Sequence, residues 1–248
     1  MMIKERWKNM TNQKDIFGII GAMDNEIALF QETMTVERTE RHAAMDFYIG
    51  TIEDTPVVLV KSGVGKVNAG ICAQILISQF HVTKIINTGV AGALSSELDI
   101  GDLVVSTDAV QHDADVSALG FRKGEILYTG MTFFPADEEL REKAVKAISL
   151  LYPDFSLNQG RICSGDQFIH SLEQKKTIVS EFGGLCCDME GAAIAQVCWL
   201  YGIPWVVLRA ISDKVDGTGD EQFESFADLA AHCSASVVLH MLAEKNGV

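Results

Sequence analysis

Strand-length runs that are apolar from end to end, separated by segments of helix length, constrain this chain more than any other feature. The runs are FGIIGAM (17–23), PVVLVKSG (56–63), KIINTGVAG (84–92), DLVVSTDAV (102–110), GRICSGD (160–166), LCCDM (185–189) and IPWVVLRAISD (203–213). A strand that faces water on one side alternates apolar with polar residues. A strand buried on both faces does not, so these runs predict a sheet covered by helices on either side. Helical spacing over 66–80, 136–151, 171–182, 190–202 and 221–245 supplies the cover. The alternation predicts an α/β fold, a three-layer sandwich around a central sheet.

No linker interrupts the pattern: prolines number four and there is no Gly/Ser-rich tract. One domain is expected over 16–248, preceded by a loose, charged extension at 1–15, MMIKERWKNMTNQKD, with Met10 as an alternative start. The stretch 117–139 is the one long irregular segment, a common place for function. No run reaches the ~18 apolar residues of a bilayer span.

A formal net charge of −14 opposes binding to nucleic-acid backbones and anionic membranes, and leaves small molecules or proteins as partners. The six cysteines sit mostly in apolar runs without a C-x-x-C pair. They read as reduced thiols in a cytoplasmic protein.

Polar groups collect at strand ends, where open α/β sheets bind ligands. They include Glu26 in AMDNEI, the turn SGVGK, NTGVAG, SGDQFI, DMEGAA and RAISD. Each has a bland explanation. Glu26 suits a helix N-terminus by charge alone. SGVGK lacks P-loop spacing and is no complete dinucleotide fingerprint, which disfavours a nucleotide-dependent oxidoreductase. HDAD (112–115) has no second His/Asp cluster to complete a metal site, and no G-x-S-x-G elbow appears. What remains is three acids, Glu26, Glu190 and Asp213. Carboxylates around a pocket can break a glycosidic bond, one protonating the leaving group and another activating water.

Seven ordered motifs, GIIGAMDNEI, KSGVGKVNAG, INTGVAGAL, GDLVVSTDAVQHDADVSALGF, SGDQFI, CDMEGAAIAQVC and VVLRAISD, resemble the 5′-methylthioadenosine/S-adenosylhomocysteine nucleosidases of the purine nucleoside phosphorylase superfamily, over residues 16 to 245. The resemblance implies an α/β/α sandwich with a twisted mixed sheet, a homodimer, no metal or organic cofactor, and hydrolysis of the N9–C1′ bond of adenine thionucleosides. It implies Asp213 as general acid to adenine N7, a role that calls for burial or an acidic neighbour, with Ser212 orienting it. Glu26 would be the base for water, and Glu190 would bind the ribose hydroxyls. Arg209 would hold Glu190 and the water. Met189 would pack on ribose and Phe168 on adenine, while backbone at Ile169 reads the purine edge. Val64 and Met23 would line the pocket. Leu119 and Phe223 match positions that complete the partner subunit's site. Asp188, beside Glu190, would have a supporting role.

Two departures from the family pattern stand out. Val90 takes the place of a small hydroxyl residue, and the stretch after Leu119 follows the family only loosely. The second departure leaves the 5′ substituent open, with aminodeoxyfutalosine as an alternative. Phosphorylase is the nearest rival activity, disfavoured because Glu26 is an acid where phosphate would lie. A non-catalytic adenine-nucleoside sensor would not need all three acids.

Overall fold

The computed structural model describes residues 15–214 and 219–243. Of the expected extension only Asp15 is among them. It is tied down, accepting from Thr83 and pairing with Lys84 at 2.9 Å; residues 1–14, including Met10, lie outside the described residues.

The strands are β1 (Phe17–Gly21), β2 (Thr35–His42), β3 (Met45–Ile52), β4 (Thr55–Lys61), β5 (Lys84–Ala93), β6 (Leu103–Gln111), β7 (Phe134–Pro135), β8 (Leu157–Ser164), β9 (Cys186–Asp188) and β10 (Trp205–Asp213). The helices are α1 (Asp24–Thr33), α2 (Lys66–Ser78), α3 (Glu138–Leu151), α4 (Leu172–Phe182), α5 (Gly191–Tyr201) and α6 (Gly219–Ala243). Local chemistry sets their ends. Asp137 and Ser171 cap α3 and α4 by accepting from Leu140 and Gln174 backbone N–H groups, and Gly183 and Gly202 end α4 and α5 in the left-handed conformation.

The apolar runs do form the sheet interior; every residue of β1 and β10 is buried. One face packs α2 and α5 through residues such as Cys72, Leu76, Ile194 and Cys198. The other packs α1, α3 and α6 through Phe30, Ile148, Val237 and Met241. This is the expected three-layer α/β arrangement with a mixed sheet. Helix α6 contains a 19-residue stretch, Ser225–Ala243, apolar enough to cross a membrane by length and composition, against the expectation that no run reached this length. Its apolarity has another use: it packs on β10, β5 and α1.

The sheet also closes on itself, which the strand pattern did not foretell. Its order is β10-β6-β8-β9-β5-β1-β4-β3-β2, and β10 also pairs with β5. Strands β5, β10, β6, β8 and β9 therefore form a ring, with β1, β4, β3 and β2 as a wing. The length of β5 makes this possible. Along one edge its first half pairs with β1 (Phe17 opposite Lys84 to Ile20 opposite Asn87), and its end pairs with β9 (Gly92 opposite Cys187). Between Asn87 and Gly92 that edge has no strand partner, and β1 and β9 part there.

The wing was incompletely legible. Strand β2, TVERTERH, is mostly exposed and charged, an edge strand guarded against further pairing, so it shows no apolar run. It turns into β3 at Ala43 and Ala44, with φ of 47° and 63°. The stretch 117–139 contains a 3-10 turn (Ser117–Leu119), a bridge between Ile126 and Met131, and β7 against β6.

Candidate active site

Where β1 and β9 part, a cavity of about 280 Å³ opens, lined by residues at or just beyond the ends of six strands and from α1 and α6. Glu26, Asp188, Glu190 and Asp213 all line it, and each is buried to below 10% exposure. Acids at positions far apart in the chain thus surround one hollow. Met23, Val64, Val90, Phe168, Ile169, Met189 and Ser212 line it too, as the sequence suggested, and so does Phe223. Ala22, Ala91, Gly92, Gln167 and Cys187 complete the wall.

Glu26 is the third residue of α1, where it serves the helix start and also faces the cavity. Its Oε2 accepts from the backbone of Ala22 (2.6 Å) and Met23 (3.1 Å), which satisfies N–H groups at the helix start. Its Oε1 accepts from Val90 N at 3.0 Å, filling the gap in the β5 edge. That oxygen keeps a lone pair for something in the cavity. Gly89 allows the approach: its φ is 154°, and a Cβ there would lie 2.1 Å from Glu26 Oε1. Burial raises the pKa of Glu26, and the nearby Arg209 charge and the three backbone donors oppose the rise.

Two residues from Glu190 in sequence, Asp188 plays a different part. It ends β9 and holds Arg209 through Nε (3.0 Å) and Nη2 (2.6 Å), while accepting from Ser164 Oγ and from Gly191 N (3.1 Å). Arg209 also donates from Nη2 to Asn87 Oδ1 at 2.5 Å. Arg209 is therefore bonded to Asp188 and Asn87 rather than to Glu190, and it stands behind the cavity wall, not on it. This corrects the expected role. Asp188 Oδ2 takes both bonds from the guanidinium, whereas Glu190 lies past the strand end as the N-cap of α5. Gly191 lets the helix start against Asp188, since a Cβ would lie 2.7 Å from its Oδ2.

Glu190 Oε1 accepts from Gly65 N at 2.8 Å, so the SGVGK turn holds a side chain rather than a phosphate. Burial, and then the charge of Asp188, push the Glu190 carboxyl up to about 7. The HDAD segment has a structural use as well: Asp113 binds Lys66 Nζ (2.6 Å) and Asp166 N (2.9 Å), strapping that turn to the one before Phe168. Among the described residues no cluster of His, Cys, Asp and Glu is placed to hold a metal. All six cysteines are buried and free, and burial pushes the cavity-lining Cys187 up to about 12.

On the opposite wall, Asp213 Oδ1 accepts from Ser212 Oγ (3.1 Å) and Oδ2 from Lys175 Nζ (3.0 Å). Ser212 thus takes its expected place. Asp213 is buried as expected, but the group bonded to its second oxygen is a lysine, not an acid. Lys175 escaped sequence reasoning although a signal existed: it occupies the inward stripe of α4 with Ile178 and Phe182, where an apolar residue belongs.

Phe168 is 45% exposed at the cavity mouth, with its ring edge-on to Phe223 at 5.7 Å. Phe223 therefore serves the cavity of its own chain, which corrects its assignment to the partner's site. Leu119 is 67% exposed and lies off this cavity.

Four buried carboxylates, two of them held by paired cations and two left facing an apolar hollow, define an enzyme of N-glycosidic bond chemistry, and the chain belongs to the phosphorylase superfamily, whose family model matches residues 16–243. Within it the chain groups with the 5′-methylthioadenosine/S-adenosylhomocysteine nucleosidases. The nucleosidase of Shewanella denitrificans is 40% identical over 92% of this chain and 98% of its own. The crystal structure of the Neisseria meningitidis nucleosidase in complex with methylthio-immucillin-A superposes with a TM-score of 0.89, at 35% identity, covering 93% of this chain and 100% of the other. The futalosine hydrolase of Helicobacter pylori is similar to the same degree: TM-score 0.88, 35% identity, 93% of this chain and 98% of that one.

Proposed function

We propose that this protein hydrolyses the N-glycosidic bond of 5′-methylthioadenosine and S-adenosylhomocysteine, releasing adenine and a thioribose. The observation that carries the reading is the convergence of Glu26, Glu190 and Asp213 on one nucleoside-sized cavity. Adenine stacks on Phe168, with the backbone at Ile169 along the purine edge and Cys187 and Val64 nearby. Asp213 gives its proton to N7 as the C1′–N9 pair moves onto the base. Water adds to C1′ from the Glu26 side and loses a proton to Glu26. Glu190 accepts hydrogen bonds from the ribose hydroxyls, which strengthen as C1′ becomes cationic, and Met189 packs on the sugar. Acid and base catalysis of this kind each supply roughly 10²–10⁴-fold.

Phosphorolysis fits poorly. Among the described residues no Lys or Arg lines the cavity, and the two buried cations behind it are already held by Asp188 and Asp213. Val90 offers no hydroxyl to an anion. The test follows adenine release from methylthioadenosine with and without phosphate; strict dependence on phosphate overturns the hydrolytic reading. A second reading, a different 5′ group, is favoured by the similarity to the Helicobacter pylori futalosine hydrolase. The same assay with S-adenosylhomocysteine and aminodeoxyfutalosine ranks the substrates by kcat/KM.

The working unit in this reading is a homodimer in the cytoplasm. Exposed Leu119 and, on α2, Val67 (71%) and Ile71 (42%) are apolar surface for a second copy to cover, with Leu119 reaching the partner's cavity mouth. Six reduced thiols suit a reducing compartment.

A further inference from the structure

Lys175 has no exposed surface, yet bond cleavage as described above needs no cation from α4. A buried ammonium is costly unless it is paired and hydrogen-bonded, and an apolar residue in its place is often as stable or more so. The stripe it occupies, with Ile178 and Phe182, would accept one. Its Nζ makes two bonds, to Asp213 Oδ2 at 3.0 Å and to the Lys214 carbonyl at 2.6 Å.

We infer that Lys175 is a positioning residue for Asp213 in N-glycosidic cleavage, an inference that rests on the nucleosidase reading. Two consequences follow from its geometry. The carboxyl is held from both sides, by Lys175 on Oδ2 and Ser212 on Oδ1, while Gly92 leaves just enough room, since a Cβ there would lie 2.9 Å from Oδ2. When the Asp213 proton passes to the purine and the glycosidic electron pair goes with it to adenine, the charge left on Asp213 appears beside an ammonium already in place. An ion fixed before the reaction needs no reorganisation during it. The bond to the Lys214 carbonyl secures the chain where β10 ends, directly after the acid.

The experiment compares the full-length wild type with Lys175→Met, Lys175→Gln and Lys175→Arg. It measures kcat and KM for methylthioadenosine by adenine release, and Kd for adenine by titration. The expected result is a kcat loss of at least 100-fold in K175M, with KM and the adenine Kd within fivefold of wild type. K175R should recover at least tenfold of that loss. Should K175M not fold, K175Q keeps a donor without the charge and decides the matter, with at least a 30-fold loss expected. A kcat within threefold of wild type in the uncharged variant overturns the inference. So does a kcat loss matched by lost adenine affinity, which would make Lys175 a support of the pocket wall only. Wild-type protein that releases no adenine fails the nucleosidase reading itself, before any variant is made.

Discussion

Asp188 Oδ2 binds Arg209 through two guanidinium nitrogens, at 3.0 and 2.6 Å, with both side chains almost wholly buried. This pair answers why DMEG carries two acids so close together: one anchors a cation in the wall, and the other faces the cavity. Removing one partner leaves an uncompensated buried charge. Arg209→Met is expected to lower unfolding free energy by about 3–5 kcal/mol, read from urea midpoints. Arg209→Met with Asp188→Leu should recover part of that loss, because no ion is left unpaired.

Glu26 accepts three backbone bonds besides facing the cavity, so a substitution there should separate stability from chemistry. Glu26→Gln is expected to reduce kcat by about 10²–10⁴-fold. Calorimetric binding of methylthioadenosine should change little beside that loss. A variant turning over at the wild-type rate would exclude Glu26 as the base.

Glu190 titrates where activity is measured, and its two pH effects run in opposite directions. Its folded pKa of about 7 lies above the ordinary 4.5, so the folded state holds its proton more tightly than the unfolded chain. The resulting stability is fully present below about pH 4.5 and is lost as pH rises through 7, a contribution of the order of 3 kcal/mol. In the proposed mechanism the ionised form accepts from the ribose hydroxyls, so kcat/KM should rise over the same interval. Melting temperatures and kcat/KM across pH 5–8 check both slopes, and Glu190→Gln should flatten each.

Gly89 is expected to tolerate no side chain. Gly89→Ala would put a methyl 2.1 Å from Glu26 Oε1 at a φ of 154°. The Glu26 carboxylate must move, and overpacking of this kind typically costs about 1–3 kcal/mol. Turnover should fall with stability, whereas the neighbouring Val90→Thr, which adds a hydroxyl without adding bulk, should keep the fold.

Much of the site was legible because its acids end apolar strands, a position that gives a carboxylate few structural uses. Glu26, Glu190 and Asp213 stood out for that reason, and the layered architecture followed from the same runs. Pairings between side chains were less legible. The family resemblance sets Arg209 on Glu190 and the water, but the closed ring of strands sets Asp188 against its guanidinium. Lys175 and Lys176 are adjacent on α4, and helical phase, not composition, sends Lys175 inward. Strand β2 escaped notice because a charged edge strand has no apolar signature, and β3 because it mixes buried with part-buried positions instead of forming an unbroken apolar run.

The β2–β3 hairpin contributes nothing to the cavity wall: no lining residue falls between Thr35 and Ile52. Its hairpin tip holds two alanines with positive φ where asparagine or glycine would be more comfortable. The protein thus has a margin, remote from its chemistry, that can absorb inherited change. An epitope peptide or a surface tether could be attached there without touching the reacting nucleoside.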